Sequence, residues 1–215
     1  MHPDVATFPC LHFYGGQLQP VPIAHQTETT LGYDLPTEDD LDQLLKTRRV
    51  LFLKTDAAPI YSPPLAGEGA GVGSEAHLVA DLLRRIHRFY GDRFDAVRTV
   101  GVIVPYRRQI AAIRAEMNRM GLDALDGITI DTVERYQGSQ RDVIIYSFAV
   151  NHLYQLDFLT ASTYTADDGN TIDRKLNVAL TRARKQMIIV GDAEILCHND
   201  LFRELVKTYS PRRCP

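Results

Sequence analysis

Short apolar runs, each followed by a segment with helical spacing, limit the folds open to this chain. Arg49-Val-Leu-Phe-Leu-Lys54 reads as a buried strand, and Thr99-Val-Gly-Val-Ile-Val104 as a second. Ile128-Thr-Ile-Asp131, Val143-Ile-Ile-Tyr-Ser-Phe-Ala-Val150 and Met187-Ile-Ile-Val190 add three more, the last two apolar almost throughout. Runs without polar alternation belong to sheets covered on both faces. Between them, residues 75–90 place Leu78, Leu82, Ile86 and Phe89 on one helical stripe, with Ser74 as N-cap. Residues 107–120 do the same with Ile110, Ile113, Met117 and Met120, and 199–209 form a closing helix. Alternation of this kind predicts an α/β domain, doubly wound, with a mainly parallel sheet and helices on both faces.

The predicted organisation is a single domain over 1–215. Residues 1–48 form an irregular leading segment, and 57–73, with Pro59, Pro63, Pro64 and four glycines, form a loop. A polar, Thr-rich excursion covers 157–173. The 45% hydrophobic and 24% charged residues exclude a disordered chain, and a net charge of -3 removes any global electrostatic footprint for nucleic acid. Such binding would need a local patch. Cys10, Cys197 and Cys214 have no Cys-x-x-Cys spacing, and the seven histidines have none that suits a metal. No apolar run approaches the roughly 18 residues of a membrane span, and no leader pattern is visible, so an intracellular, cytoplasmic protein without membrane contact is expected.

Arg174-Lys-Leu-Asn-Val-Ala-Leu-Thr-Arg-Ala-Arg184 concentrates basic residues just before the last strand. On a helical wheel Leu176, Ala179, Leu180 and Ala183 share a stripe, with Lys175 and Arg182 opposite and Arg174 and Thr181 flanking. An arginine held this way can neutralise charge on a transferring phosphoryl group; the alternative is a solvated basic face. In parallel sheets ligands sit beyond the carboxyl ends of strands, which directs attention to residues 105–109, 132–141 and 191–192. The glycines of 68–74 stand well past their strand and lack Lys-Ser/Thr, so they read as a linker.

Taken in order, Pro105-Tyr-x-x-Gln109, Thr132-Val-x-x-Tyr-Gln-Gly-x-x-x-Asp142, the 174–184 segment and Gly191-Asp192 closely resemble motifs of superfamily 1 helicases. The up-frameshift and Dna-two-like branch is the nearest resemblance. Met1-His-Pro3, Phe8-Pro9 and Phe13-Tyr-x-Gly16 also match it, although the Gln-Tyr-Arg that precedes Met-His-Pro in relatives is absent. The resemblance implies the second, C-terminal RecA-like domain of a longer ATP-dependent helicase. The first such domain, with the phosphate loop and magnesium-binding acids, is then the partner, and ATP and Mg2+ belong to the full-length protein. Single-stranded nucleic acid is the track, DNA rather than RNA, travelled 5′ to 3′.

By the same resemblance Arg182 reaches the γ-phosphate and Arg174 orients the cleft. Gln137, Gly138 and Gln140 shape the nucleotide-binding loop, and Pro105, Tyr106, Arg107 and Thr132 face the strand. Gln140 stands where many relatives have a ribose-binding glutamate, and an amide is the weaker acceptor. Val104 replaces a threonine common in relatives, and the arginine they carry soon after the strand ending near Val150 is missing from 148–153. These departures keep a second reading open: a degenerate RecA-like module that grips nucleic acid or a partner without a role in hydrolysis.

Overall fold

The computed structural model describes residues 1–55, 75–136, 139–165 and 171–211. The expected loop at 57–73, the Ser74 cap and the site residues Gln137 and Gly138 lie outside them. Before the sheet come α1 (Pro3–Phe13), α2 (Ala24–Thr27) and α3 (Asp40–Thr47). The sheet then builds through β1 (Val50–Lys54), α4 (Glu75–Tyr90), β2 (Val100–Val104), α5 (Arg107–Arg119), β3 (Thr129–Thr132) and β4 (Arg141–Ser147). After α6 (Gln155–Thr160) and a small antiparallel pair, β5 (Thr163–Thr165) and β6 (Thr171–Asp173), the chain continues through α7 (Arg174–Leu180) and β7 (Ala183–Gly191). It closes with α8 (Ala193–Leu196) and α9 (Asp200–Tyr209).

Five strands form one parallel sheet in the order β1-β7-β4-β2-β3, as their apolar character required. Successive side chains of a strand point to opposite faces, so β1, β2, β4 and β7 each serve two cores. Phe52, Ile103, Ile144, Tyr146, Met187 and Ile189 join the core beneath α1, α7 and α9. Leu51, Leu53, Val102, Val143, Ile145 and Ile188 join the other, beneath α4 and α5. Each fully buried aliphatic side chain contributes about 1.5–3 kcal/mol, so both cores are needed to hold the sheet.

The expected stripes hold in part. Leu82, Ile86 and Phe89 of α4 and Ile113 and Met117 of α5 are buried. Leu78, Ile110 and Met120 are only partly covered, because the cores also take Val79, Leu83, Gln109 and Glu116. The leading segment departs from expectation: it is helical over α1 and α3, not irregular throughout. His2 Nδ1 accepts the Asp4 N–H at 3.2 Å as the α1 cap, Pro3 occupies a position whose N–H has no helical partner, and Val5, Phe8 and Phe13 bury one face. Pro9 inside this helix hides the pattern from a reading by breakers alone. In α3, Asp39 accepts the Asp42 N–H at 2.9 Å.

One polar contact organises the start of the sheet. Gln186 of β7 is fully buried, accepts the Tyr33 hydroxyl at 2.6 Å and donates to the carbonyls of Leu45 and Arg48, both at 2.7 Å. It joins the end of α3 and the segment before it to the central sheet, and its neighbours leave it satisfied.

Candidate functional site

The amino edge of the sheet carries Arg182 and Gln140. Asp173 caps α7, accepting the Leu176 N–H at 2.9 Å, and burial pushes its carboxyl above the usual range while that bond opposes the shift. Leu176, Ala179 and Leu180 are buried as the wheel predicted. The helix ends sooner than predicted, however, with the Thr181 N–H on the Asn177 carbonyl at 3.1 Å. Ala183 is buried in β7, paired with Arg141, and not on a helical stripe, because the strand claims it for the sheet. Arg182 therefore stands in the two-residue turn between helix and strand. Its Nε donates to the Val178 carbonyl at 3.0 Å and its Nη2 to Thr181 Oγ1 at 3.1 Å, which aims a half-buried guanidinium. The Arg182 carbonyl accepts the Arg141 N–H at 3.1 Å, and this bond brings Gln140 alongside. Gln140 is exposed, with its carbonyl held by Arg141 Nη1 at 2.9 Å.

The carboxyl edge carries the other set. Thr132 ends β3 in register with Val104, where β2 ends, and Pro105, Tyr106 and Arg107 follow directly. The Tyr106 ring stacks on Phe158 at 4.9 Å between centroids, and its hydroxyl donates to the Gln155 carbonyl at 3.4 Å. Burial raises its pKa, so the phenol stays neutral. Lys175 Nζ lies 4.4 Å from the centre of the Phe158 ring and 3.3 Å from Glu134. Arg174, exposed, sits over the Tyr164 ring at 4.6 Å. The structure thus groups Arg174 with Tyr164, and does not bring it together with Arg182 beyond the other end of α7.

The segment after β3 links the two edges. Leaving the carboxyl end at Thr132, the chain must return to the amino end because β4 is also parallel to β2. Tyr136 anchors that passage: it is 1% exposed, and its hydroxyl donates to the Thr129 carbonyl at 2.8 Å. Arg141 packs over its ring at 5.7 Å. The candidate residues thus fall at both edges of the sheet, with Arg182 and Gln140 at amino ends and Thr132 and Tyr106 at carboxyl ends.

Sequence reasoning missed a buried node at the carboxyl edge. Glu75 opens α4 with no exposure, accepting the Ser147 hydroxyl and, at 2.8 Å, the Ala149 N–H. Gln109 Nε2 donates to the same Ser147 oxygen at 3.0 Å. Burial pushes the Glu75 carboxyl up to about 7, against the pull of both donors and with a smaller push from Asp192. The bond to Ala149 holds a residue with φ 51°, a conformation that costs a residue with a Cβ about 1–2 kcal/mol. Gln109 was visible as a motif residue; Glu75 gave no signal beyond being a first-turn acid. Among the described residues no three or more His, Cys, Asp or Glu side chains gather into a candidate metal site.

Comparison with known proteins matches residues 1–194 to the AAA domain family. The chain is 25% identical to Helicase SEN1 of Saccharomyces cerevisiae over 215 residues, 100% of this chain and 9% of that protein. It is 28% identical to the Regulator of nonsense transcripts 1 homolog of Drosophila melanogaster over 217 residues, 99% of this chain and 16% of the relative. It is also 28% identical to the DNA replication ATP-dependent helicase/nuclease DNA2 of Xenopus laevis over 170 residues, 77% of this chain and 14% of the relative. The chain therefore spans only a small part of the relatives it matches.

Proposed function

The chain belongs to the AAA domain family, with superfamily 1 helicases as its relatives, and on that premise we propose that it is the second RecA-like motor domain of a longer ATP-dependent helicase. In this reading the first RecA-like domain supplies the phosphate loop and the magnesium ligands. Arg182 supplies the cation that meets the γ-phosphate across the cleft. A guanidinium stabilises charge on a transferring phosphoryl group only if it is already aimed when that charge develops. The observation that carries the reading is the Arg182 turn: two hydrogen bonds orient the side chain, and the backbone bond from Arg141 sets Gln140 beside it. Gln140, with Gln137 and Gly138, then borders the sugar side of the nucleotide.

Pro105, Tyr106, Arg107 and Thr132 hold the single strand on the opposite edge. Arg174 takes its place with them, since its contact with Tyr164 puts it at that end of α7. We propose DNA as the track and 5′ to 3′ as the direction, the name of the Xenopus relative supporting the first. Among the described residues no helix is long and apolar enough to cross a membrane. A cytoplasmic location is part of the proposal.

The test is Arg182→Ala in the full-length protein. ATP turnover falls about 10³-fold or more while the urea midpoint is retained. Near-normal turnover would favour the degenerate binding module instead. The 215-residue chain alone hydrolyses no ATP, because one wall of the cleft is elsewhere.

A further inference from the structure

A cavity of about 280 Å³ opens behind Tyr106, between the start of α5 and the turn that follows β4. Its shape depends on Ala149. With φ 51°, and with its N–H held by buried Glu75, this residue turns the chain away from the line of β4. The turn is then fixed a second time, because Gln155 Oε1 accepts the N–H groups of Asn151 and His152 at 2.8 and 2.9 Å.

The cavity has aromatic walls. Tyr106 stands on one side, braced from behind by Phe158 and tied by its hydroxyl to the Gln155 carbonyl. His152 and Tyr154 also line it, stacked on each other at 5.4 Å with 16° between their planes. Tyr154 is 70% exposed, although an aromatic ring without a ligand or core to cover it is costly to hold in water. Arg108 lines the cavity, directly after Arg107 at the start of α5. In a chain of net charge -3 this local concentration selects an anionic partner, while the aromatic walls select a flat one.

We infer that this cavity receives one base of the single strand, stacked against Tyr154 and Tyr106, while a flanking phosphate lies near Arg107 and Arg108. The inference rests on the helicase reading and adds to it a base subsite in which Tyr154, His152 and Phe158, outside the helicase motifs, join the motif residue Tyr106. Phe158 is a positioning residue, acting through the Tyr106 ring. The contact is indifferent to base identity to the extent that stacking dominates, since every base presents a π face.

The experiment compares a labelled single-stranded DNA oligonucleotide with an abasic oligonucleotide of equal length, using fluorescence anisotropy and the 215-residue chain. Wild type binds the normal strand more tightly than the abasic one. Tyr154→Ala weakens binding to the normal strand about tenfold and leaves the abasic affinity unchanged. Phe158→Ala produces a smaller loss of the same kind. Equal wild-type affinity for both strands overturns the inference, as does an equal loss on both from Tyr154→Ala. If Arg107→Ala and Thr132→Ala weaken binding while Tyr154→Ala does not, the base subsite is wrong and the nucleic-acid face survives. Absence of wild-type binding to either strand overturns both. Circular dichroism checks that the exposed Tyr154 and Phe158 substitutions leave the fold intact.

Discussion

The hydroxyl of Tyr136 fills the space that a side chain at Gly101 would need: a Cβ there would lie 1.9 Å from that oxygen and 2.9 Å from the ring carbon bearing it. Glycine in the middle of β2 weakens the strand intrinsically, so its place here comes from the aromatic ring laid across it.

Gly101→Ala accordingly destabilises the fold by about 3 kcal/mol, at the upper end of overpacking costs. Tyr136→Phe alone loses the bond to the Thr129 carbonyl, about 1 kcal/mol. The double variant is more stable than the sum of the two losses, because the oxygen that clashes is gone. Urea midpoints of the three variants measure this; strict additivity would show that the two positions do not meet.

Glu75 gives the fold a pH dependence of known sign. Its folded-state pKa of about 7 stands above the ordinary 4.5, so the protonated carboxyl is favoured on folding. Its contribution is fully present below pH 4.5 and is lost as pH rises through 7, by about 3 kcal/mol in all. Glu75→Gln removes that slope. The stability difference between wild type and variant therefore changes between pH 4.5 and 7.5 in favour of the variant, and a constant difference across the range contradicts the assignment.

Replacing Gln186 tests the contact that ties α3 to the sheet. Gln186→Met keeps the volume but leaves the Tyr33 hydroxyl and the Leu45 and Arg48 carbonyls without this partner, at a cost of about 3 kcal/mol or more. Adding Tyr33→Phe removes one of the orphaned groups and recovers about 1 kcal/mol relative to the expected sum. Thermal denaturation of the pair reads the recovery.

The opposite ends of α7 separate two effects in the full-length protein. Arg182→Ala removes ATP turnover and leaves the strand affinity within about twofold. Arg174→Ala raises the strand Kd by about threefold to tenfold, as a lost cation contact does, with little change in turnover at saturating strand. Turnover lost equally in both variants would place the two arginines in one cleft.

Much of the fold was legible because unbroken apolar runs admit few alternatives. Met187, Ile188, Ile189 and Val190 had to be central, and they pair on both sides. The Arg182 turn was not legible: Ala183 suits a helical stripe as well as a strand, and only the partner Arg141 decides between them. Pro9 similarly obscured α1, whose buried Phe8 and Phe13 become visible as a face only against the core shared with α7 and α9. In the candidate site, motif order singled out Tyr106, Thr132 and Arg182 as candidates. It could not place them on opposite edges, because that depends on the return of the chain from β3 to β4. Phe158 and Tyr164 carried no sequence signal either, since each acquires meaning from a cation contributed by α7.

The division of β1, β2, β4 and β7 between two cores bears on how such a domain can change. Leu156 and Leu159 of α6 pack only into the core shared with α1 and α7, whereas α4 and α5 rest on the other. The region from α6 to β6 can therefore be lengthened, shortened or redecorated by adjusting one side of the sheet. The opposite side retains its packing, so one face of the sheet can be rebuilt while the other holds the frame.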